Sequence, residues 1–231
     1  MRFSLIIPSY NNSEELIREL PPLLSYLEER GFFVEVVIVN DGSPQVEQLV
    51  EFCSANSFVL LDHSQNMGKG AAVRLGMLNA TESIRIFTDA DIPFQYSIFD
   101  DIIKTFTDES VKVVCGTRST SDYFSKTAAV RRLGSNIFSW MVNIIMLRNL
   151  GDTQCGIKAF RNDAAEKVFD AARINGFAAD IEWLFLSRKA GYKIKWVNAQ
   201  FRNAGESSVV FWKQAVRMLG DVLKLRMRSF W

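Results

Sequence analysis

The sequence predicts an α/β domain, a mostly parallel central sheet with helices on both faces, and three observations predict it. Short, nearly continuous apolar runs recur at Phe3–Pro8, Phe33–Val39, Ile84–Thr88 and Lys112–Gly116, the pattern of strands buried on both faces. Segments with helical periodicity separate them, which is what parallel crossovers require. The early runs end in small polar residues, and right-handed crossovers gather such exits on one edge of the sheet.

The elements follow in order. The first run leads into the turn-rich Pro8-Ser9-Tyr10-Asn11-Asn12, then Ser13 with Glu14 and Glu15 starts a helix, since acids suit a first turn. That helix is expected to reach Arg30 and stop at Gly31, with Pro21 and Pro22 kinking or breaking it. The second run exits into Asn40-Asp41-Gly42-Ser43. A helix over Gln45–Asn56 and a short strand over Phe58–Leu61 come next. Asn66-Met67-Gly68-Lys69-Gly70 then enters an Ala-rich helix ending at Asn79, before the strand Ile84–Thr88 and its Asp89-Ala90-Asp91. Beyond these lie a helix near Tyr96–Phe106, the strand Lys112–Gly116, a polar loop at Asp152–Gly156 and a strand at Ile157–Phe160. Helices opening at Asn162 and near Ala178, and a strand at Lys193–Val197, complete the body.

The chain has 231 residues, enough for one large domain. A formal charge of +1 argues against a nucleic-acid binder, which is basic overall. The N-terminus carries no secretory pattern, and no run reaches the roughly 18 apolar residues of a membrane span. Three cysteines without metal-ligand spacing fit a reducing cytosolic setting. A single histidine, His63, argues against a histidine triad.

Two stretches carry chemistry. In an extended segment, residues two apart point to one side, so Asp89 and Asp91 are expected to converge at the sheet's open end. Paired carboxylates there suit Mg²⁺ or Mn²⁺ holding a diphosphate; the plainer reading is a polar turn or a helix cap. Gly68-Lys69-Gly70 before a helix suggests a phosphate contact through Lys69, because helix N-termini attract anions, against a plain helix-entry loop. Neither Gly-x-x-x-x-Gly-Lys-Ser/Thr nor Gly-x-Gly-x-x-Gly occurs, which sets aside P-loop and dinucleotide chemistry. Two amphipathic stretches follow: 128–147, core-facing or interfacial, and the tail 208–231. In the tail, Lys213, Arg217, Asp221, Lys224 and Arg228 form one stripe, acidic at Asp221 alone, beside a Trp212, Val216, Leu219, Leu223, Met227, Phe230 face. That pairing favours an interfacial membrane helix over one packed on the sheet.

Taken together and in order, these motifs resemble glycosyltransferase family 2, of GT-A (Rossmann-like) fold. They are Pro8-Ser9-Tyr10-Asn11, Val39 to Ser43, Asn66 to Gly70, Thr88 to Asp91, Asp152-Thr153-Gln154-Cys155-Gly156 and Arg202 to Ser207. Within it they look like the dolichyl- or polyprenyl-phosphate sugar synthases, and the Thr-Gln-Cys-Gly form is nearest the glucosyltransferase branch. The resemblance implies an inverting, metal-dependent transferase using Mg²⁺ or Mn²⁺. The donor is a nucleotide sugar of UDP-glucose or GDP-mannose type, with glucose favoured, and the acceptor is a polyprenyl phosphate. It implies that Pro8, Tyr10 and Asp41 hold base and ribose, with Asn12 where relatives carry Glu, and that Lys69 and Gln154 add donor contacts. Asp89 and Asp91 serve metal and diphosphate. Gln95 stands in as a third ligand, because Pro93 occupies the position of a usual Gln. Arg118, Arg131 (or its neighbour Arg132) and Arg202 grip the lipid phosphate or diphosphate. The implied layout is a catalytic domain over 1–207 and an anchoring helix over 208–231, peripheral on the cytoplasmic face of a membrane, with a homo-oligomer or membrane-protein partner left open. Two other readings stand beside it. One is a transferase to a sugar or protein hydroxyl, needing Asp152, Asp180 or Glu182 as general base; the other is a non-catalytic subunit of the same fold.

Overall fold

The computed structural model describes residues 1–118, 152–153, 155–202, 220–221 and 225. In chain order the described elements are β1 (Arg2–Ser9), α1 (Ser13–Glu29), β2 (Phe33–Asn40), α2 (Glu47–Asn56), β3 (Val59–Asp62), α3 (Lys69–Asn79), β4 (Ile84–Thr88), α4 (Ser97–Thr105), β5 (Val111–Arg118), β6 (Ile157–Arg161), α5 (Asn162–Ala171), α6 (Ala179–Lys189) and β7 (Lys193–Ala199). The strands form one sheet in the order β3-β2-β1-β4-β6-β5-β7.

Pairing is parallel except at β6, which runs antiparallel to both β4 and β5. The mostly parallel α/β class is therefore as expected. The chain builds outward from β1 to β3, then crosses to the other side of β1 for β4. That reversal opens a crevice between the exits of β1 and β4, where open α/β sheets bind ligands. The inverted β6 serves the same place. Its first residue, Ile157, pairs with Thr88, the last of β4, so the loop before β6 arrives at the exit of β4.

Two apolar layers sandwich the sheet. Leu16, Leu20, Leu23 and Leu27 of α1 recur at helical spacing and bury fully with Leu49, Ile98, Phe99 and Ile102 against one face. Each such side chain contributes about 1.5–3 kcal/mol on burial. Val73, Met77, Phe169, Trp183 and Leu184 cover the other.

The prolines do not break α1, one of the two outcomes expected of them: the helix is continuous from Ser13 to Glu29 across Pro21 and Pro22. Both are exposed, so the amides they remove are lost on the solvent side, where water takes their place. The Leu stripe opposite keeps the helix seated. The candidate interfacial stretch 128–147 lies outside the described residues, as does nearly all of 208–231. Of the tail, Leu225 is helical and only 5% exposed. It borders a recess with Arg173, Glu182 and Leu186 of the α5–α6 face, so at this residue the tail meets the body. No helix among the described residues is long and apolar enough to cross a membrane.

Candidate active site

The two acids are adjacent, but by a different geometry from the one expected. β4 ends at Thr88, and Asp89 to Ile92 form a tight turn in which the Ile92 N–H donates to the Asp89 carbonyl at 3.0 Å. The rule that residues two apart share a face of a strand therefore does not apply; the turn sets where the two carboxylates lie, near enough that the charge of Asp89 acts on Asp91. Ile92 takes φ +40°, a strained value for a β-branched residue, while its side chain is buried in the core.

Asp89 is held from two sides. The Lys69 ammonium lies 2.6 Å from its Oδ1, and Gly156 packs so tightly on it that an added Cβ would collide with Oδ2. Burial works against a charged Lys69, but Asp89, then Asp180 and Asp91, outweigh it and raise the ammonium's pKa. Asp91 has no cation within ion-pair distance among the described residues. It is exposed as a residue, with its carboxyl group partly buried. That burial, followed by the charges of Asp89 and Glu15, pushes it up to about 6. Crowded anions short of a counter-ion suit a hard divalent cation. No third His, Cys, Asp or Glu completes a ligand set among the described residues, so water and diphosphate oxygens would fill the rest, as Mg²⁺ allows. Gln95, expected as a third ligand, is exposed; its N–H is donated to the Gln200 carbonyl at 2.8 Å, and no side-chain bond carries it to either acid.

The Gly-Lys-Gly loop is not the amide cradle that its sequence suggests. Asp41 accepts the N–H groups of Met67 and Gly68 at 3.0 and 2.8 Å. The Asn175 carbonyl accepts those of Gly70 and Ala71 at 2.7 and 3.2 Å. The N-terminal amides of α3 thus serve the fold. The glycines permit that docking: a Cβ at Gly68, which sits at φ +101°, would lie 2.5 Å from the Asn175 oxygen. Lys69 contributes its ammonium alone.

On the nucleotide side, Tyr10 is half-exposed at the rim and Pro8 partly buried beneath it. Asn12 Oδ1 accepts from the Ser9 hydroxyl at 2.8 Å and the Tyr10 N–H at 3.0 Å, shaping its own loop. Asp41 is 3% exposed and also meets His63 Nδ1 at 2.7 Å. Besides any base contact, its carboxylate ties the exits of β2 and β3 to the α3 entry.

Arg118 is clasped by Asp152, with Nε and one Nη at 2.8 and 2.7 Å and the backbone N–H at 3.0 Å. Arg202 stacks on Tyr96, donates to its hydroxyl and reaches Glu19 at 3.0 Å. Both arginines staple loops to the sheet edge. Arg131 and Gln154 lie outside the described residues. Beneath the turn lies a residue that sequence reading passed over, the fully buried Lys158. Its one legible signal was a lone cation inside an apolar strand. Asp180 and Glu182, early in α6, are also buried. Asp180 accepts from Lys158 at 2.5 Å. Glu182 Oε2 accepts the Arg173 and Ile174 N–H groups at 2.9 and 2.7 Å.

The profile of glycosyl transferase family 2 matches residues 4–169. By sequence the chain is similar to a dolichyl-phosphate beta-glucosyltransferase of Dictyostelium discoideum, 28% identical over 241 residues, covering 97% of this chain and 74% of that protein. A human protein of the same name is 26% identical over 249 residues, covering 98% and 75%. By shape it is similar to glucosyl-3-phosphoglycerate synthase from Mycobacterium tuberculosis solved with Mn²⁺ and UDP-glucose. The TM-score is 0.68 and the identity 15%, covering 97% of this chain and 78% of that one. At that identity the likeness concerns the fold.

Proposed function

This chain belongs to glycosyl transferase family 2, and we propose that it transfers glucose, with inversion, from UDP-glucose to a dolichyl or related polyprenyl phosphate at a membrane surface. One observation carries the choice of acceptor. A hydroxyl acceptor needs a general base, and each of the three carboxylates that the sequence nominates for that task, Asp152, Asp180 and Glu182, is engaged. Asp152 lies in the clasp of Arg118, which outweighs burial and holds its carboxyl below the usual carboxylate range. Asp180 takes the buried Lys158 ammonium, and Glu182 caps two backbone amides. A phosphate monoester, whose second pKa is about 6, is largely ionised near neutrality and needs no base. The names of the relatives support both the sugar and the lipid acceptor.

In this reading an acceptor phosphate oxygen attacks the anomeric carbon from the side opposite the diphosphate. The bond from that carbon to the β-phosphate oxygen breaks, and its electron pair leaves with UDP. Asp91, with Asp89 beside it, would hold a divalent ion, which neutralises charge on the departing diphosphate. Lys69, anchored on Asp89, adds the chain's own positive charge at that place. Tyr10, Pro8 and Asp41 border the crevice where the nucleoside sits, and Arg131 or Arg132 remains the proposed grip on the lipid phosphate.

The test is a transfer assay with labelled UDP-glucose, offered dolichyl phosphate in one arm and free sugar hydroxyls in the other. A lipid-linked product is expected; transfer to hydroxyls alone would overturn the reading. Asp91→Ala should lower transfer by about a hundredfold or more while leaving the melting temperature unchanged. Full turnover in that variant would move the metal elsewhere.

A further inference from the structure

A lysine fully buried within an apolar layer calls for a reason. Lys158 is 0% exposed, on the face of β6 that packs with Phe87, Phe160 and Trp183. Burying two opposite charges costs several kcal/mol per ion, and well-packed apolar replacements for such pairs are often as stable or more so. Stability alone therefore gives the Lys158–Asp180 pair little justification.

Its connections supply one. Lys158 pairs in register with Phe87, two residues before Asp89. Its ammonium donates to Asp180 Oδ1 at 2.5 Å and to the Cys155 carbonyl at 2.8 Å. Each bond leads to Asp89. Through Cys155, Lys158 holds the loop whose next residue, Gly156, packs on the Asp89 carboxylate. Through Asp180 it holds the first turn of α6, where the neighbouring Ala179 packs on Gly70 so closely that a Cβ there would lie 2.5 Å from Ala179 Cβ. Gly70 adjoins Lys69, whose ammonium meets Asp89. The two ammonium groups also share one aromatic ring, lying 5.8 Å (Lys69) and 5.5 Å (Lys158) from the Phe87 centroid.

We propose that Lys158 is a positioning residue: with Asp180 it clamps Cys155, beside Gly156, and the α6 entry so that Gly156 and Lys69 hold Asp89 in the geometry the diphosphate site uses. The inference rests on the functional reading above for what the site binds, but not for the clamp itself.

The experiment replaces the charged pair by an apolar one, Lys158→Met with Asp180→Leu, in the full chain. Melting temperature, UDP affinity in Mn²⁺ by calorimetry, and the crystal structure are then read together. The expected result is a melting temperature near that of the parent, UDP·Mn²⁺ affinity lower by about 10- to 100-fold, as for partners that orient a metal's ligands, and a Lys69–Asp89 pair that has come apart. Parental affinity with the Lys69–Asp89 pair intact would overturn the proposal. Should the double variant not fold, Asp180→Ala removes the α6 acceptor of Lys158 altogether, and unchanged affinity there with the Lys69–Asp89 pair intact overturns the proposal equally. A parent that binds UDP·Mn²⁺ but transfers to some other acceptor sinks the functional reading and leaves the clamp standing. If the parent binds no UDP, the Lys69–Asp89 distance in the variant still decides.

Discussion

Gly156 decides where Asp89 can stand. The missing side chain leaves room for one carboxylate oxygen, and Lys69 closes on the other. Gly156→Ala should therefore displace Asp89, because neither the β6 backbone nor the Lys69 contact leaves slack. Overpacking of this kind costs about 1–3 kcal/mol, a modest fall in melting temperature, whereas UDP·Mn²⁺ affinity should drop about tenfold or more. Calorimetry beside a thermal melt separates the two, and intact affinity would show that Asp89 is not needed where it stands. Asp91 differs in kind. It has no cation in ion-pair reach among the described residues, its carboxyl is pushed up to about 6, and the strained Ile92 that follows is held by its own burial. The pair of acids was legible from the sequence as a motif. The turn that joins them was legible only as the plainer alternative, since the apolar run before it reads as a strand that simply continues.

Among the elements, α3 shows how one sequence signal can serve two purposes. Glycines around a lysine before a helix can open an anion site or let another segment approach. Here the Asn175 carbonyl occupies the amides, and only the position of a loop more than a hundred residues later makes the choice. β2 carries a comparable long-range tie. Burial alone would raise the pKa of Glu35, but the donors Ser4 and Thr81 outweigh it and hold it below the ordinary value. A carboxylate whose folded pKa is depressed stabilises the fold above its unfolded value, about 4.3. That contribution is lost as pH falls through the folded value. Glu35→Gln should cost about 1–2 kcal/mol near neutrality, and the gap between parent and variant should close in denaturant melts repeated at successively lower pH. A gap constant with pH would mean that the carboxylate charge plays no part.

At the scale of the whole molecule, the topology places the chemistry. The crossing from β3 back to β4 sets the crevice beside β1, and the inverted β6 delivers Cys155 and Gly156 to the same rim. Leu225, buried against the α5–α6 face, brings the tail back to the body at one point, although it lies on neither of the tail's two stripes. We still propose the basic stripe as a membrane contact. Changing Lys213, Arg217, Lys224 and Arg228 to Glu in the full chain should release it from anionic liposomes, at roughly 1 kcal/mol for each basic residue removed. Unchanged co-sedimentation would make the tail a packing helix. The sequence by itself determined the α/β class, the strand exits, the family resemblance and the two acids, because apolar runs, turn residues and a motif in fixed order are local properties. Only the tertiary structure decided that Arg118 and the candidate bases are already engaged, that the α3 amides serve a loop, and that a buried lysine underlies the site. Those outcomes depend on which distant groups share a low-dielectric space, where a charge must find a partner and its neighbours in sequence do not name which one.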